Sequence, residues 1–172
     1  MNGLGAFEVV DPGILTTVQD TGRWGYQSYG VSVSGVMDSV AHRRANGLVG
    51  NRESAASLEV TLRGPTLRFL SEVRLAVSGA VFLLFLDEMP VSLDTVIHAK
   101  PGQELRFGAR SSGARAYVAV AGGIDVTPVL GSRSTHLPSR CGGVLGRSVK
   151  RGDTLAIGNS ADSVRRPNPM NR

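Results

Sequence analysis

Over much of the chain apolar and polar residues alternate with a period of two. That spacing puts successive side chains on opposite faces of a strand. Leu58, Val60 and Leu62 face one way and Glu59, Thr61 and Arg63 the other, until Gly64-Pro65 breaks the run and residues 66–69 start another. Val73, Leu75 and Val77 alternate with Arg74, Ala76 and Ser78, and Gly79 is expected to end that run. Residues 80–86 then read as a strand buried on both faces, closed by a turn at Asp87-Glu88-Met89-Pro90. Further strand-like runs are residues 95–99, 104–107 and 115–121, punctuated by Pro101-Gly102 and Ser111-Ser112-Gly113. Short strands at this spacing predict a mainly β fold, a closed or nearly closed antiparallel barrel or a sandwich.

One helix interrupts the pattern. Val40, Ala41, Ala45, Leu48 and Val49 form a stripe at helical spacing over residues 38–49, with Ser34 or Asp38 able to cap its start and Gly50-Asn51 stopping it. A shorter helical turn is expected at residues 127–130. Residues 159–172, rich in Pro, Asn, Ser and Arg, read as a disordered tail or linker after a domain spanning residues 1–158.

Composition narrows the picture. Hydrophobic residues make up 41% of the 172 and charged ones 19%, enough apolar material for one core and too little charge for a disordered chain. Gly at 22 residues, about 13% against a usual level of roughly 7%, fits many tight turns. The net charge is +5, and 17 of the 19 basic residues are Arg, whose planar fork suits carboxylates and phosphates. The basic residues are scattered among acids without a run and without interleaved aromatics, which argues against a nucleic-acid partner. The single Cys141 precludes an internal disulfide and a Cys-based zinc site. The first residues lack the signature of a signal peptide and no apolar stretch is long enough for a membrane helix, so a cytoplasmic location away from membranes is expected.

Generic motifs are absent. The chain has no phosphate loop of the Gly-x-x-x-x-Gly-Lys-Ser/Thr type, no dinucleotide fingerprint and no nucleophile elbow. His42, His98 and His136 are dispersed, without a partner at metal-ligand spacing, so no metal site is expected. The chemistry is therefore sought in loops that mix Gly with Asp, Arg and Ser: residues 11–26, 30–38, and 121–126 running into 130–135.

These loops carry a resemblance. Seven blocks stand in order: Pro12-Gly13-Ile14-Leu15-Thr16-Thr17-Val18-Gln19-Asp20; Gly22-Arg23 with Gly25-Tyr26-Gln27; Val33-Ser34-Gly35 through Asp38; Ala45-Asn46 with Leu48-Val49-Gly50-Asn51; Leu58-Glu59-Val60-Thr61 with Gly64-Pro65; Ala119-Val120-Ala121-Gly122-Gly123-Ile124-Asp125; and Val129-Leu130-Gly131-Ser132-Arg133-Ser134-Thr135. Together they resemble the biotin-dependent carboxyltransferase family, which takes in subdomains A and B of the urea carboxylase carboxyltransferase domain, allophanate hydrolase subunit 2, KipA-type proteins and the C-type subunit of bacterial 5-oxoprolinase. The likeness spans roughly residues 7 to 158 and corresponds to the first of the two related halves of such proteins.

The resemblance implies a cyclophilin-like antiparallel β-barrel with one main helix at residues 38–49. It implies a subunit, truncated relative to the family, of an ATP-dependent 5-oxoprolinase complex that hydrolyses 5-oxoproline to glutamate. The alternatives are a biotin-dependent carboxyltransferase component acting on urea or a related amide, and a non-catalytic KipA-type module that binds a kinase-inhibitor partner. The expected partners are a B-type (KipI-like) subunit, a lactam-opening A-type subunit and a small amide or lactam substrate. No motif here binds a cofactor. ATP would act through the complex, and carboxybiotin would arrive on a partner domain, since the chain lacks a biotinylation motif.

Individual residues have competing readings. Asp20 and Arg23 are either a carboxylate and a guanidinium aimed at substrate or a local ion pair bracing a turn. Ser34 and Asp38 either bind substrate or cap the helix. Asn46 either orients a ligand or ties the helix to a loop. Glu59 on pattern alone is a solvated strand residue, and only the resemblance makes it a candidate. Arg133, with Ser132 and Ser134, can bind a carboxylate, carboxybiotin or phosphate, or simply surface carbonyls. The candidate catalytic groups are thus Asp20 and Glu59, and the candidate substrate-binding residues are Arg23, Ser34, Asp38, Asn46, Ser132, Arg133 and Ser134. Trp24 and Tyr26 are expected to be packing residues.

Overall fold

The computed structural model describes residues 5–159. The expected tail therefore lies, from residue 160 on, outside the described residues. Among these residues ten strands, one α-helix and a 3₁₀ turn (Gln27–Tyr29) make up the fold: β1 (Ala6–Asp11), β2 (Leu15–Gln19), α1 (Ser39–Leu48), β3 (Ser57–Thr61), β4 (Thr66–Phe69), β5 (Val73–Leu86), β6 (Met89–Val91), β7 (Ile97–Ala99), β8 (Glu104–Val120), β9 (Ile124–Asp125) and β10 (Thr154–Ile157). All pairings are antiparallel, in the order β2-β3-β8-β4-β1-β10-β9, with β5 pairing β6, β7 and β8, so that the sheet curls into a nearly closed barrel.

β5 and β8 are the frame. The run starting at Val73 does not end at Gly79; it continues to Leu86 as one strand of 14 residues, and β8 runs 17 residues straight through Ser111-Ser112-Gly113. Their register shifts between Gly79 and Leu84. Gly79 sits there at φ 110°, with the Arg115 carbonyl where a Cβ would stand, so a side chain would block the bend that glycine permits. The bend lets β8 pair with β4 through residues 104–106 and with β3 through residues 115–118. Residues 80–86 are not buried on both faces as expected: Val81 and Leu83 point to solvent while Ala80, Phe82 and Leu84 point inward. Leu62, at φ 60° and part-exposed, leaves the alternation that Leu58 and Val60 keep.

The barrel interior holds Phe7, Val9, Val18, Leu58, Val60, Leu67, Phe69, Leu75, Val77, Leu105, Val118, Val120, Leu155 and Ile157. The opposite face of β5 and β8 carries Ala76, Tyr117 and Ala119, and α1 lays Ala41, Ala45 and Val49 on it. Small side chains on both surfaces bring helix and sheet close together. Asp38 caps α1, its Oδ1 accepting from the Val40 and Ala41 amides at 3.1 and 3.0 Å. Such a cap is worth about 1 kcal/mol. The helical turn expected at residues 127–130 is absent; that stretch forms a bridge between Val129 and Ser132 instead. Among the described residues no helix is long and apolar enough to cross a membrane.

Two truncations separate core from surface. Leu58→Ala, in the barrel interior, is expected to lose about 3 kcal/mol, and Leu83→Ala less than about 0.5 kcal/mol, as read from urea unfolding midpoints.

Candidate functional site

β2 ends the strand order, and its outer edge is covered by loops: the Thr135 amide donates to the Val18 carbonyl at 2.9 Å and the Val149 amide to the Thr16 carbonyl at 2.9 Å. Leu15–Gln19, expected as loop, is thus a strand, which delivers Asp20 to the point where three loops meet.

The buried Asp20 carboxylate organises that junction. Its Oδ1 accepts from the Ser132 and Ser134 hydroxyls, each at 2.6 Å, and from the Gly22 amide at 2.8 Å; its Oδ2 accepts from the Arg133 amide at 2.6 Å. The Asp20 amide returns a bond to Ser134 Oγ at 2.9 Å. Burial alone would push this carboxyl up, but the four hydrogen bonds outweigh it and hold the group below its ordinary 3.8. A second loop joins through backbone bonds from Val36 to the Asp20 carbonyl and from Arg23 to the Val33 carbonyl. Ser34 donates to the Thr135 carbonyl at 2.8 Å. Asp20, Arg23, Ser34, Ser132, Arg133 and Ser134 are therefore one cluster. Asp20 and Arg23 do not form the local ion pair that their spacing suggests; Arg23 instead reaches the Ser134 carbonyl through Nη2.

The Arg133 side chain leaves the junction outward. Its Nη2 lies 3.2 Å from Asp125 Oδ1, and both residues line a cavity of about 310 Å³ with Arg52, Ser54, Gly122 and Gly123.

The remaining candidates stand elsewhere. Glu59 is not a solvated strand residue: its Oε2 accepts from the Tyr117 hydroxyl and the Met37 amide, both at 2.8 Å, and its Oε1 lies 3.5 Å from Arg115 Nε. Tyr117 Oη in turn accepts from the Asp38 amide at 2.7 Å, and burial pushes the phenol well above its ordinary range. Glu59 and Asp38 thus fasten the start of α1. Asn46 ties the helix to a loop: its Nδ2 donates to the Ala55 carbonyl and its Oδ1 accepts from Asn51, whose own amide group holds the Val120 carbonyl and the Gly122 amide. His42, fully buried beside Asn46, contacts Ser57 Oγ and the Glu53 carbonyl at 2.9 Å each, a pattern that suits a neutral ring with Nε2 protonated. Trp24 is two-thirds exposed rather than a packing residue.

Tyr117, His42, Asn51 and Asp125 do not stand out in the sequence as site residues. Asn51 reads there as a helix stop and His42 as a dispersed histidine; the available signal is their apolar setting, in which a polar side chain must find partners. Among the described residues no three of His, Cys, Asp and Glu converge as metal ligands.

Comparison with known proteins gives this geometry a context. The carboxyltransferase domain, subdomain A and B, matches residues 29–171. A urea amidolyase of Lachancea kluyveri is 46% identical over 153 residues, covering 88% of this chain and 8% of that protein. The C-type subunit of the Escherichia coli 5-oxoprolinase is 44% identical over 153 residues, covering 89% of this chain and 49% of that protein. The crystal structure of the Kluyveromyces lactis urea carboxylase superposes with a TM-score of 0.88 at 43% identity, over 95% of this chain and 15% of that one. The chain thus spans about half of one relative and a small part of the others.

His42 makes the fold acid-sensitive. Burial holds its folded-state pKa below the ordinary 6.5, so the unfolded chain binds the proton first. The stability from the neutral ring is complete above pH 6.5 and is lost as pH falls through the folded-state value. In urea unfolding at a series of pH values, wild type is expected to weaken below pH 6.5, and His42→Gln to start weaker but lack that component of the slope.

Proposed function

The chain belongs to the carboxyltransferase domain family, subdomain A and B, and from that premise we propose that it is the ligand-binding first half of a subunit in an ATP-dependent 5-oxoprolinase complex. The observation that carries this reading is the Arg133–Asp125 pair on the wall of the cavity. Its lining places Arg133 beside the Asp125 carboxylate in about 310 Å³, near the lower end for small-ligand sites. The Arg133 guanidinium, 3.2 Å from the part-exposed Asp125 carboxylate, is the cation that an incoming anion would meet. 5-Oxoproline carries a carboxylate on the ring carbon next to its lactam N–H, with the lactam carbonyl on the other side of that nitrogen. Its carboxylate can take the Arg133 guanidinium in a charge-assisted pair, and the lactam N–H can be donated to Asp125 in exchange. Urea is neutral and gives a guanidinium no counter-charge.

On this reading Asp20 does not move protons. A carboxylate with four donors and a lowered pKa is a poor base near neutrality, and its part is to fix the backbone at residue 133 so that Arg133 is aimed without searching rotamers. Glu59 and Asn46 are positioning groups too, since their polar atoms are engaged within the fold, and Asp38 caps α1 through Oδ1. Ring opening and phosphoryl chemistry belong to the B-type and lactam-opening A-type subunits, as this sequence has no phosphate loop. In the rival reading, supported by the urea amidolyase relative, a partner domain delivers carboxybiotin to an amide.

Calorimetric titration of the chain tests the reading. 5-Oxoproline is expected to bind saturably, at least about tenfold more weakly to Arg133→Ala, while urea gives no saturable heat. Saturable urea binding with no response to 5-oxoproline would favour the rival. Mixed with the two partner subunits, the chain is expected to support 5-oxoproline-dependent ATP hydrolysis; a tight complex without turnover would instead indicate the KipA-type regulatory role.

A further inference from the structure

Two turns repeat one four-residue pattern, Val129-Leu130-Gly131-Ser132 and Val144-Leu145-Gly146-Arg147. In each, the amide of the last residue donates to the carbonyl of the first at 3.2 Å. The two central residues have positive φ, 51° and 77° in the first turn and 53° and 69° in the second. Turns of this hand prefer Asn, Asp or Gly at the first central position, because the left-handed region penalises a bulky side chain. Here that position holds leucine twice, and burial does not compensate. Leu130 is 42% exposed, and Leu145 at 85% is more exposed than any other large apolar side chain among the described residues. A residue type that breaks the local rule without gaining core contacts points to a role outside folding.

Both turns border one hollow of about 650 Å³, where Val126, Val129 and Val144 supply apolar lining and Leu145 stands on the wall. A second hollow of about 470 Å³ lies beyond it, and Arg140, Leu145 and Gly146 belong to both. The ridge between the two is fixed by backbone: the Gly146 amide donates to the Gly142 carbonyl at 2.7 Å, and a Cβ on Gly146 would collide with the Arg140 carbonyl. The second hollow is lined by Arg147 and Lys150 as well as Arg140, and by no carboxylate. Arg147 is paired with Asp153. Arg140 and Lys150 are exposed and have no ion pair among the described residues.

We propose that this face docks a segment of a partner protein in which an apolar side chain stands beside carboxylates. The apolar side chain fills the first hollow against Val129, Val144 and Leu145, and the carboxylates meet Arg140 and Lys150 across the ridge. Charge complementarity selects this occupant: a second copy would bring the same cations face to face, and a lipid surface would leave the valine-lined hollow unfilled. Asp125 lines both the first hollow and the Arg133 cavity, so the docked segment borders that cavity. The docking surface stands whether or not the Arg133 cavity binds 5-oxoproline.

The test selects random dodecapeptides displayed on phage against the full chain. Enriched peptides are resynthesised, and their affinity is read by fluorescence anisotropy and their contacts by leucine methyl spectra. They should share an apolar residue with Asp or Glu beside it and should move the Leu130 and Leu145 methyl signals. Leu145→Asn should bind them at least about tenfold more weakly and yet unfold at a higher urea concentration, since asparagine accepts the left-handed position that leucine resists. Arg140→Glu should lose the acidic peptides by a similar factor and take up their Lys-substituted counterparts. An empty selection, enriched peptides without carboxylates, peptides that move neither methyl signal, or a Leu145→Asn chain that binds as well or unfolds earlier would each overturn the proposal. So would binding to vesicles of phosphatidylcholine and phosphatidylglycerol, or a dimer in sedimentation velocity, that disappears in Leu145→Asn: the face would then belong to a membrane or to a second copy.

Discussion

The loop junction at the end of β2 depends on one buried carboxylate. Asp20 stands at the end of β2, and everything around it is loop: residues 20–23, 33–36 and 132–135 have no ladder of their own to hold them. Four donors converging on two oxygens replace that ladder. Charge-assisted bonds of this kind are shorter and about twice as strong as neutral ones, and they are directional, so they set the path of residues 132–134 as well as stabilise it. The backbone at Arg133 is thereby a fixed point, and the guanidinium is presented to Asp125 and to the cavity from a rigid base.

A second buried network serves the other wall of the same cavity. Asn46 and His42 on α1 reach the loop after the helix, and Asn51 on that loop grips both the Val120 carbonyl and the Gly122 amide. The helix lies close on β5 and β8 because it meets them with alanines, so its polar residues arrive at the loop at a set height. Fully satisfied networks of this sort tend to specify a single arrangement. The cavity is thus built from two sides, one set by a charge and the other by amides and a neutral imidazole.

How much of this is legible in the sequence follows from the range of each interaction. Period-two alternation is local, so β3, β4 and the inner face of β5 are readable, as is α1 with its Asp38 cap. The continuity of β5 through Gly79 is not, since a glycine that ends a strand and one that bends it look alike until the partner strand is in place. β2 reads as loop because Thr16, Thr17 and Gln19 are polar, although tertiary contacts bury all three. Within the site, the loops that hold Asp20, Arg23, Ser34 and residues 132–134 are marked in the sequence by their mix of Gly with Asp, Arg and Ser. The partners are not: Asp20 and Arg23 suggest each other by proximity in sequence, whereas the bonds of Asp20 to the serines span 112 and 114 positions. Glu59 is masked in the same way, its partner Tyr117 lying 58 residues on.

The central claim is that Asp20 is an ionised clamp and not a proton carrier. Carbon-detected titration of its side-chain carboxyl in the folded chain tests this most directly. The account predicts a midpoint below 3.8, the ordinary aspartate value, with the Ser132 and Ser134 resonances shifting in the same step. A midpoint above 3.8, or serine resonances that ignore the titration, would contradict it.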